Sequence, residues 1–204
     1  MTGAEAVWIA GTRSFAAEVA GYAREAGLEL AGLLEPSDRD RAKGRVHGLP
    51  VAWLEDAGAE AGALALVATG DRRRREVAAR VEAAGFRSAT LVHPAAHVPR
   101  STEIGPGTIV GPGAVIGTDV RIGSQVVVGR GSLVGHHTQL ADFATLGPGA
   151  NVAGNSRVAS DAFLGMGAVV RDHVTVGCGA VVAMGAVVVR DVEPGAEVRG
   201  LPAR

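Results

Sequence analysis

The sequence predicts a small α/β domain followed by a solenoid of short parallel strands. Three observations carry this: an unbroken six-residue aliphatic period from Val92 to Val188, a Gly-rich composition with few aromatics, and an amino-terminal third in which strand-like and helix-like runs alternate. Stepping by six from Val92 meets Val98, Ile104, Val110, Ile116, Ile122, Val128, Val134, Leu140, Leu146, Val152, Val158, Leu164, Val170, Val176, Val182 and Val188. Val, Leu and Ile make up roughly three in ten of the segment, so a full run at one phase has a chance probability of roughly 0.3 to the seventeenth power. Four residues after each aliphatic the residue is small or Val, from Ala96 and Thr102 to Val192, and Gly often follows the aliphatic directly, as at Gly105, Gly117 and Gly135. A period of six fits neither a helix at 3.6 nor a two-residue alternation, but it fits a short strand plus a corner. Three such sides close a coil of 18 residues. The aliphatics are expected to point inward, the small residues to fit near the corners, and the Gly after each aliphatic to relieve the backbone where the chain bends.

Composition narrows the function. Lys+Arg 20 against Asp+Glu 21 leaves a net charge of -1, which argues against nucleic acid or anionic lipid as a partner. Aromatics are 3%, so the core must come from Val, Leu, Ile and Ala. The lone Cys178 cannot form an internal disulfide, the amino terminus has an acidic residue where a signal peptide needs basic ones, and no apolar run is long enough to span a membrane. A soluble cytoplasmic protein is expected.

In residues 1–91, Val7 to Ala10 reads as a strand ending at Gly11, and a helix is expected through about Ala26 with Gly27 as its stop. Ala31 to Leu34 and Ala63 to Ala68 are further short apolar runs, and Asp71 is placed to cap a helix to about Ala84. Alternating strands and helices imply a parallel sheet. A strand, a Gly turn and a helix start make a phosphate-binding place. Gly11-Thr12-Arg13-Ser14-Phe15-Ala16 keeps one glycine of the dinucleotide fingerprint, so a nucleotide loop and a plain tight turn both stay open. The basic run Arg72 to Arg75 could meet a phosphate or CoA, but a solvated helix face is the favoured reading.

Several further motifs coincide: Val46-His47-Gly48-Leu49-Pro50-Val51, Leu91-Val92-His93-Pro94-Ala95-Ala96, Ala153-Gly154-Asn155 and the closing Gly200-Leu201-Pro202-Ala203-Arg204. With the repeat and the domain order, they resemble the bacterial hexapeptide-repeat acyltransferases that include sialic-acid O-acetyltransferases and nucleotide-amino-sugar N-acetyltransferases. That resemblance implies a Rossmann-like nucleotide-sugar-binding domain over 1–91 and a left-handed parallel β-helix over 92–204. It implies acetyl-CoA as co-substrate without a metal, and a homotrimer with active sites between subunits. The expected activity is N- or O-acetylation of a sugar, in particular an amino sugar on a nucleotide.

By the same resemblance His136, in Val134-Gly135-His136-His137-Thr138, is the base that takes the acceptor's proton, work suited to an imidazole at neutral pH. The family places an acid directly after this His, where this chain has His137, so either the orienting acid comes from elsewhere or the base is weaker. Residues 18 apart should stack about 4.8 Å apart, which nominates Asp119 beneath His137, or Asp142 at the next corner. Gly154 stacks beside His136 and leaves room. Contacts to acetyl-CoA are expected at Gly154, Asn155, Gly165, Met166, Gly167, Met184 and Gly185, with the two Met side chains as an adaptable stripe. Acceptor contacts are expected at Gly11, Thr12, Arg13, Ser14 and Glu35, where Glu35-Pro36 replaces the family's acidic pair. The competing readings are an acyltransferase for a non-nucleotide acceptor, a zinc enzyme using His136, His137 and His173, and a non-catalytic scaffold.

Overall fold

The computed structural model describes residues 6–58, 62–70 and 73–203, which form two compact units meeting between Leu91 and Val92. In the first unit the strands are β1 (Val7–Ala10), β2 (Leu30–Glu35), β3 (Arg45–Val46), β4 (Leu49–Trp53), β5 (Leu64–Val67) and β6 (Arg87–Ser88), with helices α1 (Ser14–Glu25) and α2 (Arg74–Ala83). They build one sheet in the order β3-β4-β2-β1-β5-β6, parallel except for the β3–β4 hairpin. Near-continuous burial of Ile9, Ala10, Leu33, Leu34, Ala65, Leu66 and Val67 is the pattern of a parallel sheet's interior strands. The hairpin turns on His47 and Gly48, both at positive φ, as a two-residue turn with the twist of its strands requires.

Helix α1 stops as its sequence predicts. Gly27 takes φ +77, its N–H donates to the Arg24 carbonyl and that of Leu28 to the Ala23 carbonyl, so the last turn is closed by backbone groups. Helix α2 has Arg73, not Asp71, at its N-cap position, without a side-chain cap. Asp71 and Arg72 lie outside the described residues; Arg74, expected on a solvated face, is buried.

The second unit is a solenoid of two-residue parallel strands on three faces. The first face stacks Val115–Ile116, Leu133–Val134, Asn151–Val152, Val169–Val170 and Val187–Val188. The second stacks Glu103–Ile104, Arg121–Ile122, Gln139–Leu140, Arg157–Val158 and Thr175–Val176, and the third runs from Leu91–Val92 to Glu197–Val198. Partners are 18 residues apart, as in Val134 on Val152 and Ile122 on Leu140; the last coil is shorter, pairing Val181 with Glu197. The aliphatics from Val110 to Val188 are buried, and so are the small residues from Thr108 to Val192. Each fully buried Val or Leu contributes about 1.5–3 kcal/mol of transfer free energy. From Thr108 onward, where the small residue is Ser or Thr its hydroxyl donates to a carbonyl of the next coil, as Thr138 Oγ1 does to Ala153 O at 3.2 Å, so its burial is compensated, whereas Thr102 Oγ1 is buried without a partner. Val92 departs from the pattern: it is 36% exposed and Leu91 is buried instead, because neighbours on a strand face opposite ways.

The bend is also not where the repeat suggested. Every sixth residue from Gly107 to Gly185 has φ between +56 and +77, and this position lies three residues after the aliphatic. It is occupied by Gly at some corners and by Asp119, Gln125, His137, Phe143, Asn155, Asp161 and His173 at others. The Gly directly after the aliphatic serves a different need. A Cβ on Gly135 would lie 2.4 Å from Gly154 N, and one on Gly117 2.6 Å from His136 N, so side chains are excluded there by the close approach of successive coils.

Candidate active site

The corner between the first and second faces carries the His pair. Its two outward columns read Thr118, His136, Gly154, Asp172 and Asp119, His137, Asn155, His173. The backbones are joined from coil to coil: His137 N–H donates to Thr118 O at 2.9 Å, Asn155 N–H to His136 O at 2.9 Å, and His173 N–H to Gly154 O at 3.2 Å. The rings of His136 and His137 meet edge to face, with centroids 5.2 Å apart, and their Nδ1 atoms are 3.0 Å apart. Nε2 of His137 lies 3.6 Å from Oδ2 of Asp119. The His136 ring lies over Gly154, so close that a Cβ there would be 2.9 Å from both Cε1 and Nε2.

Of the two acids, only Asp119 stands with the pair. Asp142 occupies the corner between the second and third faces, where Oδ1 accepts from Ser124 N–H at 2.8 Å; it supports a turn rather than an imidazole. A polar groove of about 330 Å³ opens beside His137, lined also by Ser101, Glu103, Asp119, Arg121 and Gln139. Glu103 and Arg121 pair across it at 3.8 Å. These four partners beyond Asp119 went unnoticed in the sequence, although the 18-residue register sets Glu103, Arg121 and Gln139 in one column. Among the described residues no group of three or more His, Cys, Asp or Glu side chains is arranged to hold a metal ion.

The expected acyl-CoA residues divide between two corners. Gly154 and Asn155 lie with the His pair. Met166, Gly167, Met184 and Gly185 lie at the corner between the third and first faces, with Met166 51% and Met184 70% exposed. The first face joins these corners, and its outward residues Val115, Leu133 and Val169 are exposed aliphatics. Gly165 does not belong to this surface. It is buried, its N–H donates to Val182 O, its carbonyl accepts from Ala168 N–H, and a Cβ would strike Met184 N at 2.5 Å.

In the first unit, a second pocket of about 70 Å³ lies at the carboxyl ends of β1, β2 and β5, where strand order reverses on either side of β1. Ligands of open parallel sheets bind at such a reversal. Gly11, Thr12, Arg13 and Glu35 line it, as expected, with Phe15, Ala68, Thr69, Gly70 and Arg73 among the neighbours that the sequence left unassigned. Ser14, the first residue of α1, is exposed and does not line it. Gly11 takes φ +139, and a Cβ there would lie 2.8 Å from Ala68 O. Glu35 is 3% exposed and ties the loops together: Thr12 Oγ1 donates to Oε2, while Ser37 N–H at 2.7 Å and Asp38 N–H at 3.1 Å donate to Oε1. Thr69 Oγ1 is buried without a hydrogen-bond partner.

A solenoid of hexapeptide coils with an imidazole pair on one corner defines a class, and comparison with known proteins gives the family. A family profile described as the GMPPB C-terminal domain matches residues 86–194. Perosamine N-acetyltransferase from Caulobacter crescentus, solved as a His-to-Asn variant in complex with CoA and GDP-perosamine, is 31% identical with a TM-score of 0.89, covering 98% of this chain and 95% of that one. The acetyltransferase domain of PglB from Neisseria gonorrhoeae, in complex with acetyl coenzyme A, is 32% identical with a TM-score of 0.90 over 99% of both chains. WeeI from Acinetobacter baumannii is 25% identical with a TM-score of 0.90 over 98% of both. Comparison with curated proteins returned no significant match. The chain belongs to the hexapeptide-repeat acyltransferases, in the family of nucleotide-amino-sugar acetyltransferases.

Proposed function

We propose that this protein transfers the acetyl group of acetyl-CoA to the amino group of a sugar carried on a nucleoside diphosphate, with His136 as general base. The observation that carries this reading is the His136 ring lying against side-chain-free Gly154 at a solenoid corner, in a chain alike end to end to acetyltransferases solved with CoA and with GDP-perosamine. In the reaction the neutral amine nitrogen bonds to the thioester carbonyl carbon and the carbon–sulfur bond breaks. His136 takes the proton the nitrogen loses and returns it to the departing sulfur. Such assistance is worth about 10²- to 10⁴-fold in rate.

Residues 92–204 are the acyl-transfer domain, wound left-handed. The exposed aliphatics of the first face and the Met166 and Met184 stripe, with Gly154, Asn155, Gly167 and Gly185, would hold the pantetheine arm. Residues 1–91 are a Rossmann-like domain that holds the nucleotide, a reading supported by the strand order and by the pocket at the reversal point. There Gly11 admits a close approach to the start of α1, and Thr69 Oγ1 is a buried polar atom still to be satisfied. The protein works as a cytoplasmic homotrimer, and no helix among the described residues is long and apolar enough to cross a membrane.

Calorimetric titration with acetyl-CoA comes first, because it needs no knowledge of the acceptor. Saturable binding near one site per chain is expected, followed by acetylation of a nucleotide amino sugar that His136→Ala abolishes. Absence of binding at millimolar acetyl-CoA would overturn the reading.

A further inference from the structure

His136 can serve as a base only through a ring nitrogen that carries no proton, and a neutral imidazole has one. Which nitrogen it is depends on what the other one meets. Nδ1 of His136 is 3.0 Å from Nδ1 of His137, and only one proton can lie between them. If His137 donates that proton, His136 carries its own on Nε2 and has no lone pair to offer the acceptor. If His136 donates, its Nε2 is bare.

The far side of His137 decides between the two. Its Nε2 is 3.6 Å from the Asp119 carboxylate, longer than a hydrogen bond but within ion-pair range, and a negative charge there favours a proton on that nitrogen. With its proton on Nε2, neutral His137 has a bare Nδ1 and can only accept from His136. We propose that Asp119 and His137 act together as positioning residues that set the tautomer of His136, leaving its Nε2 free to take the acceptor's proton. This rests on the reading of His136 as the base. The carboxylate acts from one coil away, through a second imidazole, and so does the work of an acid placed directly beside the base.

The solenoid holds this geometry. Asp119 and His137 are 18 residues apart, both at positive φ (+56 and +59), and their backbones are pinned by neighbouring coils. Asp119 N–H donates to Ser101 Oγ at 3.2 Å, and Thr138 Oγ1 donates to Ala153 O at 3.2 Å. Their separation therefore follows from the stacking of coils. When His136 becomes protonated it still donates through Nδ1, and Asp119 supplies a negative charge beyond His137.

Long-range proton–nitrogen correlation spectra of protein labelled with ¹⁵N histidine test this directly. In the wild type, His136 is expected to carry its proton on Nδ1 and His137 on Nε2. In Asp119→Asn the negative charge that favours a proton on Nε2 of His137 is gone, so the Nε2–H form of His137 and the Nδ1–H form of His136 lose population, and kcat is expected to fall about tenfold with KM for acetyl-CoA unchanged. Asn tolerates positive φ, so this variant keeps the corner's backbone. Added to Asp119→Asn, His137→Glu places a carboxylate on the residue next to His136 and is expected to recover part of the lost kcat, a rescue that a merely structural role for Asp119 would not give. Nε2-protonated His136 in the wild type, or Asp119→Asn with wild-type kcat and unchanged tautomers, would overturn the proposal. The spectra need no substrate, so they judge the tautomer independently of the acyl-transfer reading. Full activity in His136→Ala would overturn that reading alone.

Discussion

Replacing Gly154 with Ala isolates the position of the His136 ring from its chemistry. The added Cβ would lie 2.9 Å from Cε1 and Nε2 of His136 and 3.2 Å from Cδ2. Carbon contacts settle near 3.5–4.0 Å, so one partner must yield by about 0.6–1 Å. The ring yields, because it is the far end of an exposed side chain, whereas the Gly154 backbone is held between coils. A displacement of about 1 Å in a reacting group can cost about 10²-fold in rate. We therefore expect Gly154→Ala to lower kcat about 10²-fold while the thermal midpoint falls by no more than a few degrees. The assay is thiol release from acetyl-CoA in the presence of a nucleotide amino sugar, with thermal unfolding measured in parallel. Gly135→Ala is the contrast. Its Cβ would meet Gly154 N at 2.4 Å, a backbone atom that cannot swing away, so the cost falls on stability, about 1–3 kcal/mol as for overpacking. Wild-type kcat in Gly154→Ala would refute the placement of His136 over Gly154.

Three further outcomes follow from packing and burial. Leu146→Ala empties a fully buried site in the solenoid core and should destabilise the protein by about 2–5 kcal/mol in chemical denaturation, without changing KM for either substrate. Thr12→Val removes the hydroxyl that donates to buried Glu35; leaving that acceptor short should cost about 1–3 kcal/mol and raise KM for the nucleotide sugar but not for acetyl-CoA, read by steady-state kinetics. Met184→Glu places a charge on the exposed stripe and should weaken acetyl-CoA binding in calorimetry while leaving the thermal midpoint unchanged within about 1 °C, because that side chain is 70% exposed.

The solenoid was legible in the sequence because the inward positions recur at a fixed interval and a buried position accepts few residue types. Val110, Leu146 and Val176 declare themselves. The corners were not legible in the same way. The position at positive φ holds Gly131, Gln125, Phe143 and His137 alike, so no residue type marks it, whereas the recurrent Gly after the aliphatic draws the eye to a place two residues before the bend. Only the stacked coils reveal that this Gly is small because another backbone lies against it.

The site divides along the same line. The His pair, Gly154 and the loop after β1 stood out as residue types in a local pattern. Distances across coils separated Asp119 from Asp142, moved Gly165 from the surface into the stack and left Ser14 outside its pocket. Sequence alone determined the repeat, the inward-facing core and the corner that carries the imidazoles, because each follows from periodicity along one chain. Tertiary structure alone decided which acid faces His137, how closely the two rings approach and what lies beneath His136, because those contacts join residues a full coil apart or depend on where a side chain turns.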